Sequence, residues 1–118
     1  MTITQLLEQL NTDPAQIQFE DVIQVIEQSY TFIPMGFQNG ETYNQTGSNQ
    51  GSCKIFYFAQ LNQLTEKQTL ALFGGYYRDD VLGDPEGNDH ANIRNFMRSG
   101  WAGVKFDGAA LIPLSEAN

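Results

Sequence analysis

Apolar residues recur at helical spacing in several places along the chain. Ile3, Leu6, Leu7 and Leu10 fall at i, i+3, i+4 and i+7, one stripe of an amphipathic helix. Thr2 and Gln5 stand before it as a capping box, in which hydroxyl and amide each accept from the other's backbone N–H. Asp13-Pro14 reads as a cap followed by proline at the first position of a short turn. Phe19, Val22, Ile23, Ile26 and Tyr30 make a second stripe over residues 18–30. Behind a second capping box at Thr65 and Gln68, the residues Leu70, Phe73, Tyr77 and Val81 line one face and predict a helix running to Val81. Gly74 lies beside that face, where a missing side chain admits a close neighbour, and Gly75 weakens the helix by about 1 kcal/mol relative to alanine. A last helix is expected over 89–99, capped by Asn88 or Asp89 and ended by Gly100.

Strand signals are shorter. Asn39-Gly40 between Phe37 and Tyr43 predicts a hairpin over 33–43, with Pro34 limiting its first arm to an edge. Asp107-Gly108, between Val-Lys-Phe and Ala-Ala-Leu-Ile, predicts a second hairpin over 103–112. Residues 44–52 are only Asn, Gln, Thr, Gly and Ser, a mobile loop or an uncharged binding loop. Residues 53–61 are ambiguous. Ile-Phe-Tyr-Phe favours a strand, but Ser52 can cap a helix and Ala59-Gln60-Leu61 continues one, so a helix is expected. The terminal Ser-Glu-Ala-Asn is expected to fray. With no repeat and no dividing linker, residues 1–118 form one α+β domain, helix-rich, with four or five helices and two short β-hairpins.

Composition narrows the function. Six Lys and Arg face fourteen Asp and Glu, a net charge of −8. Nucleic-acid binding needs a cationic footprint, and an anionic membrane repels such a chain, so neither partner is expected. No apolar run reaches the roughly 20 residues of a membrane span, and the N-terminus lacks the basic and apolar regions of a Sec signal peptide. One cysteine cannot form an internal disulfide, and with a single histidine it cannot make a zinc site of four Cys/His ligands.

GSCKIFYFAQL, TLALFGGYYRDDVL and DPEGNDHANIRNFMRSGWAG together resemble the HopJ type III effector family. The similarity is densest from Phe37 to Phe106, carried by the FxNG turn at 37–40 and the GSCKIF, YYR, HxNIRNFM and GWAG blocks. The resemblance implies a bacterial, virulence-associated protein delivered into host cells, and supplies no reaction. A place in the bacterial cytoplasm is expected, with export implied by the resemblance.

Two constellations are candidates for chemistry. Cys53 in the first turn of a helix, beside Lys54, would gain thiolate character, and His90 could serve as its base with Asp89 or Asn92 orienting the ring. That reading is a cysteine-dependent hydrolase. The second candidate lies on the helix 89–99, where Ile93, Phe96, Met97 and Gly100 share a face and His90, Arg94 and Arg98 form the neighbouring stripe, ending at Trp101. His90, Arg94, Arg98 and Trp101 would then hold a small anion or a protein partner, or the arginines would tie the helix to acidic residues of 79–89. Asp84-Pro-Glu86-Gly-Asn88 resembles the start of a calcium loop, but its glycine is misplaced and residue 95 is asparagine. No metal and no cofactor is therefore expected. A small binding protein is the first reading.

Overall fold

Both capping boxes form. Thr2 Oγ1 accepts from Gln5 N at 3.1 Å and Gln5 Oε1 accepts from Thr2 N at 2.8 Å, opening α1 (Ile3–Thr12). Thr65 and Gln68 repeat the pattern ahead of α4 (Glu66–Ala71). The other α-helices are α2 (Phe19–Ser29), α3 (Gln50–Leu61) and α5 (Ala91–Ser99), with a 3-10 turn over Pro14–Gln16 between α1 and α2. The computed structural model describes residues 1–114, so the fraying expected for 115–118 lies outside the described residues.

The helix predicted behind Thr65 does not run to Val81. It stops at Ala71, Gly74 turns left-handed at φ 61°, and the chain resumes as a π-helical segment over Tyr76–Val81. The break has a packing cause. A Cβ on Gly74 would stand 2.8 Å from Phe19 N and 3.1 Å from Ile17 O, so the α4 end meets the α2 start backbone to backbone. Glycine supplies both the left-handed φ and the space.

The centre of the core is α3. Ile55, Phe56, Phe58 and Ala59 have no exposed surface, and the Phe56 ring lies within 6.4 Å, centroid to centroid, of Phe37, Phe73, Phe96 and Trp101. A helix surrounded by other elements is apolar on several faces and shows no single stripe. This explains why the sequence of 53–61 read equally well as a strand.

Five short strands complete the fold: β1 (Tyr30–Phe32), β2 (Phe37–Asn39), β3 (Thr42–Asn44), β4 (Val104–Phe106) and β5 (Leu111–Pro113). The first hairpin is present as β2–β3, but its pairing is Phe37↔Asn44 and Asn39↔Thr42. The two loop residues are therefore Gly40 and Glu41, with Gly40 at φ 61° in the position a type II′ turn gives to glycine. Asn39 belongs to the strand and is fully buried. The second hairpin is not formed. β4 pairs with β2 and β5 pairs with β1, both antiparallel. The register is the same on both sides of Pro34, and Ile33 N→Ala110 O (2.8 Å) and Asp107 N→Gly36 O (3.0 Å) continue it through the gap. Segments 30–39 and 104–113 are thus one long antiparallel ribbon, interrupted where proline cannot donate. Asp107-Gly108 bends the chain without closing a hairpin, because the Asp107 amide bonds Gly36 and its carboxylate accepts from the Tyr43 hydroxyl.

The inward face of α5 also differs from the expected one. Ile93 and Phe96 are buried as predicted, but Met97 is 45% exposed, and Asn92 and Asn95 are buried instead. Two asparagines on the core side require polar partners there, and the β2–β3 hairpin supplies them.

Candidate ligand-binding pocket

Asn92 is the hub. Its Nδ2 donates to Asn44 Oδ1 at 3.0 Å, while its Oδ1 accepts from Asn39 Nδ2 at 3.0 Å and Asn44 Nδ2 at 3.1 Å. Asn39 Nδ2 also reaches the Asn92 carbonyl at 2.9 Å, and Asn49 Nδ2 donates to Asn44 Oδ1 at 2.7 Å. A step further along α5, Asn95 Nδ2 donates to Thr42 Oγ1 at 3.0 Å. Hairpin, α3 start and α5 start are thereby fixed to one another. Such a network holds geometry because each amide orients the next.

Above these amides lies a cavity of about 290 Å³. Thr42, Asn44, Asn49 and Asn92 line its polar side, and Phe19, Phe73, Tyr76 and His90 its aromatic side. No Asp or Glu is among its lining residues, in a chain with fourteen of them. The rim is a run of rings: Tyr76 meets Phe19 edge-on at 5.0 Å and His90 at 5.2 Å. His90 Nε2 stands 3.0 Å from Asp80 Oδ2 and 3.9 Å from Asp89 Oδ2, which fixes the ring from outside the cavity.

Two helices begin at this cavity. Gly51 and Ser52 line it from the first turn of α3, and Ala91, Asn92 and Ile93 from the first turn of α5. The first N–H groups of a helix have no acceptor within it. At α1 and α4 a capping box serves two of those donors, but α3 and α5 have no side-chain cap. Each is instead entered through a left-handed residue, Asn49 at φ 51° and His90 at φ 50°. Asparagine and histidine tolerate that conformation better than most side chains, and such backbone strain concentrates at working sites. α2 also lacks a side-chain cap, but Glu20 and Asp21 in its first turn complement its dipole. The α3 and α5 first turns contain no acid, so no carboxylate of their own turn complements these donors.

The residues singled out from the sequence separate. His90 is at this cavity. Arg94 is only 7% exposed and spans the preceding loop, with Nε to Asp89 O at 2.6 Å, Nη1 to Asp84 O at 2.8 Å and Nη2 to Asp89 Oδ1 at 2.6 Å. Its hydrogen bond holds the Asp89 carboxyl below the usual carboxylate range. Arg98 is exposed, donates to Asn95 Oδ1, and shares with Arg94 a different cleft of about 300 Å³ beside Leu82, Pro85 and Met97. Trp101 lies at the other end of α5, stacked edge-on against Phe96 at 4.9 Å, with Nε1 donating to Leu64 O at 3.1 Å. Arg94 and Arg98 keep their i, i+4 spacing on α5 and share that cleft, whereas His90 precedes the helix in a left-handed conformation and Trp101 follows it.

Cys53 and His90 do not form a pair. Cys53 is 1% exposed, its sulfur in contact with Met35 O at 3.6 Å, and it lines none of the clefts described here. Burial pushes its thiol up to about 11 in spite of nearby Lys54. A nucleophile needs the opposite shift. At neutral pH the thiolate fraction is on the order of 10⁻⁴. Labelling by a thiol reagent under native conditions is therefore expected to run at least about a hundredfold slower than for a free cysteine, and stoichiometric labelling within seconds would contradict this burial.

The sequence offers the 39–52 loop together with the His90–Trp101 helix as a working surface, without singling out Asn39, Asn44 or Asn49 as site residues. What could not be seen is that they face a second cluster in His-Ala-Asn rather than solvent. Among the described residues, no three His, Cys, Asp or Glu side chains gather to hold a metal ion, and no helix is long and apolar enough to cross a membrane.

Fold and pocket together define a small α+β domain with a preformed polar–aromatic cavity. The chain belongs to the HopJ family: the model of the HopJ type III effector protein matches residues 3–111. A search of the curated proteins finds no match. Among solved structures, the chain is similar to the crystal structure of unknown function protein VPA0580, at 50% identity and a TM-score of 0.94, over 96% of this chain and 94% of that one.

Proposed function

We propose that this protein is a small-ligand binding protein whose site is the cavity between the α3 and α5 starts. The observation that carries the reading is the pair of helix N-termini without side-chain caps, each entered through a left-handed residue, opening on one cavity without carboxylates. N-terminal N–H groups and the aligned dipoles behind them favour a negative group. The rings of Phe19, Tyr76 and His90 favour a flat apolar portion beside it. The ligand class is thus a compact anion carrying an aromatic or similarly planar group. The burial of Cys53, which pushes its thiol up, supports binding over the hydrolase reading.

Thermal denaturation with phenyl phosphate tests this. A native-state ligand at 100 times its dissociation constant adds about 2.7 kcal/mol. The wild type should gain stability, His90→Asn should gain clearly less, and Arg98→Gln should match the wild type. Asparagine keeps the left-handed backbone while removing the ring. No gain in any of the three proteins would end the proposal, and a loss confined to Arg98→Gln would move the site to the outer arginine cleft.

Membership of a type III effector family supports a working place inside a host cell after export. Secretion that persists in a strain lacking the type III apparatus would contradict that route.

A further inference from the structure

The largest cleft among those described, about 480 Å³, lies away from this site, between the end of α1, the Pro14–Gln16 turn, α4 and the π-helical segment. Leu10, Pro14, Ala15, Ala71 and Tyr77 give it apolar walls. Its charged lining residues are Lys67 and Arg78, and no Asp or Glu lines it. Its volume falls within the roughly 300–1,000 Å³ of small-molecule sites.

The charged side chains at this cleft are of one sign. Acids outnumber bases fourteen to six, so a cation in this chain has carboxylates to choose from. Lys54 takes Glu27 and Arg94 takes Asp89. Among the described residues, Lys67, Arg78, Arg98 and Lys105 take none, and of these Lys67 and Arg78 line this one cleft together, although Glu66 and Asp79 adjoin them in sequence. Arg78 is held in place without a carboxylate: its Nη1 donates to Ile17 O at 2.9 Å, which leaves its other N–H groups available. Across the same cleft Gln68 Nε2 donates to Asn11 Oδ1 at 3.3 Å, tying α4 to α1.

We propose that this cleft binds a monocarboxylic acid with an apolar chain. The guanidinium fork and the lysine ammonium would hold the carboxylate, and the walls from Leu10 to Tyr77 would bury the chain. This site is separate from the α3–α5 cavity and does not rest on it.

Octanoate, octan-1-ol and acetate are the probes, titrated calorimetrically into the full chain. Octanoate should bind saturably, while octanol and acetate, each lacking half of the recognised chemistry, should bind at least about tenfold more weakly. Lys67→Gln alters an exposed side chain and should weaken octanoate about tenfold. Ala15→Trp, at an exposed position on the cleft wall, should abolish binding with the fold intact. Equal affinity for octanol, no saturable octanoate binding at millimolar concentration, or octanoate-induced amide shifts at Asn49 and His90 in place of Lys67 and Arg78 would overturn the proposal.

Discussion

Replacing Arg94 with glutamine is expected to destabilise the protein by about 3 kcal/mol and to loosen the loop over 84–90. Three carbonyls, those of Asp84, Pro85 and Asp89, accept from this one guanidinium, as does the Asp89 carboxylate. Glutamine is shorter and carries two donors, so it cannot reach across the same turn. The loss extends to the pocket, because the clamped loop delivers the chain into His90 at φ 50°. Chemical denaturation measures the effect, and an unchanged midpoint would show that the clamp contributes nothing. A pH dependence follows with a definite sign. The folded Asp89 carboxyl is depressed by the Arg94 hydrogen bond, against a smaller opposing effect of burial. Its contribution is therefore present above the unfolded value of about 3.9 and is lost as pH falls through the folded one. Wild type should lose stability more steeply than Arg94→Gln below about pH 4.

Gly74→Ala should cost a similar amount, about 3 kcal/mol, for a different reason. The left-handed φ of 61° is unfavourable for any side chain, and the new Cβ would press on Phe19 N and Ile17 O. Both are backbone atoms, so nothing can swing aside and the α4–α2 contact must open. Gly47 provides the comparison. It has φ 90° but no atom within 4 Å of an added Cβ. Gly47→Ala should therefore cost only about 1 kcal/mol. Equal losses at the two glycines would remove the steric contribution from Gly74.

These two sites show what the sequence could and could not reveal. Local signals were reliable where their partners are local. Thr2 with Gln5 and Thr65 with Gln68 act within four residues of themselves and formed as read, and Pro14 opens its short turn as expected, although the Asp13 side chain makes no capping hydrogen bond. Gly74 was legible as a point of close approach, but not as a helix break, because the backbone it meets lies more than fifty residues away in sequence. Asp107-Gly108 carries a good turn signal that long-range pairing overrides, since each flanking strand finds a partner in 30–39. In the site, His90 was identified with Asp89 beside it, but its nearer partner Asp80 was not. Periodicity placed Arg94, Arg98 and Trp101 on or beside its stripe, but a stripe on a short helix crosses from loop to solvent to core within three turns. The asparagine network was invisible for the same reason: Asn39 and Asn44 are some fifty residues from Asn92, and a buried amide has no sequence pattern of its own.

The central claim is that the starts of α3 and α5 act together on one anion. Amide chemical shifts followed by NMR during a phenyl phosphate titration test it most directly. The account predicts saturable shifts with a single dissociation constant at Gly51 and Ser52 and at Ala91, Asn92 and Ile93, with Thr2–Gln5 and Thr65–Gln68 unmoved because their boxes already cap those helices. Shifts at only one of the two helix starts, or at neither while the arginine cleft around Arg98 responds, would contradict it.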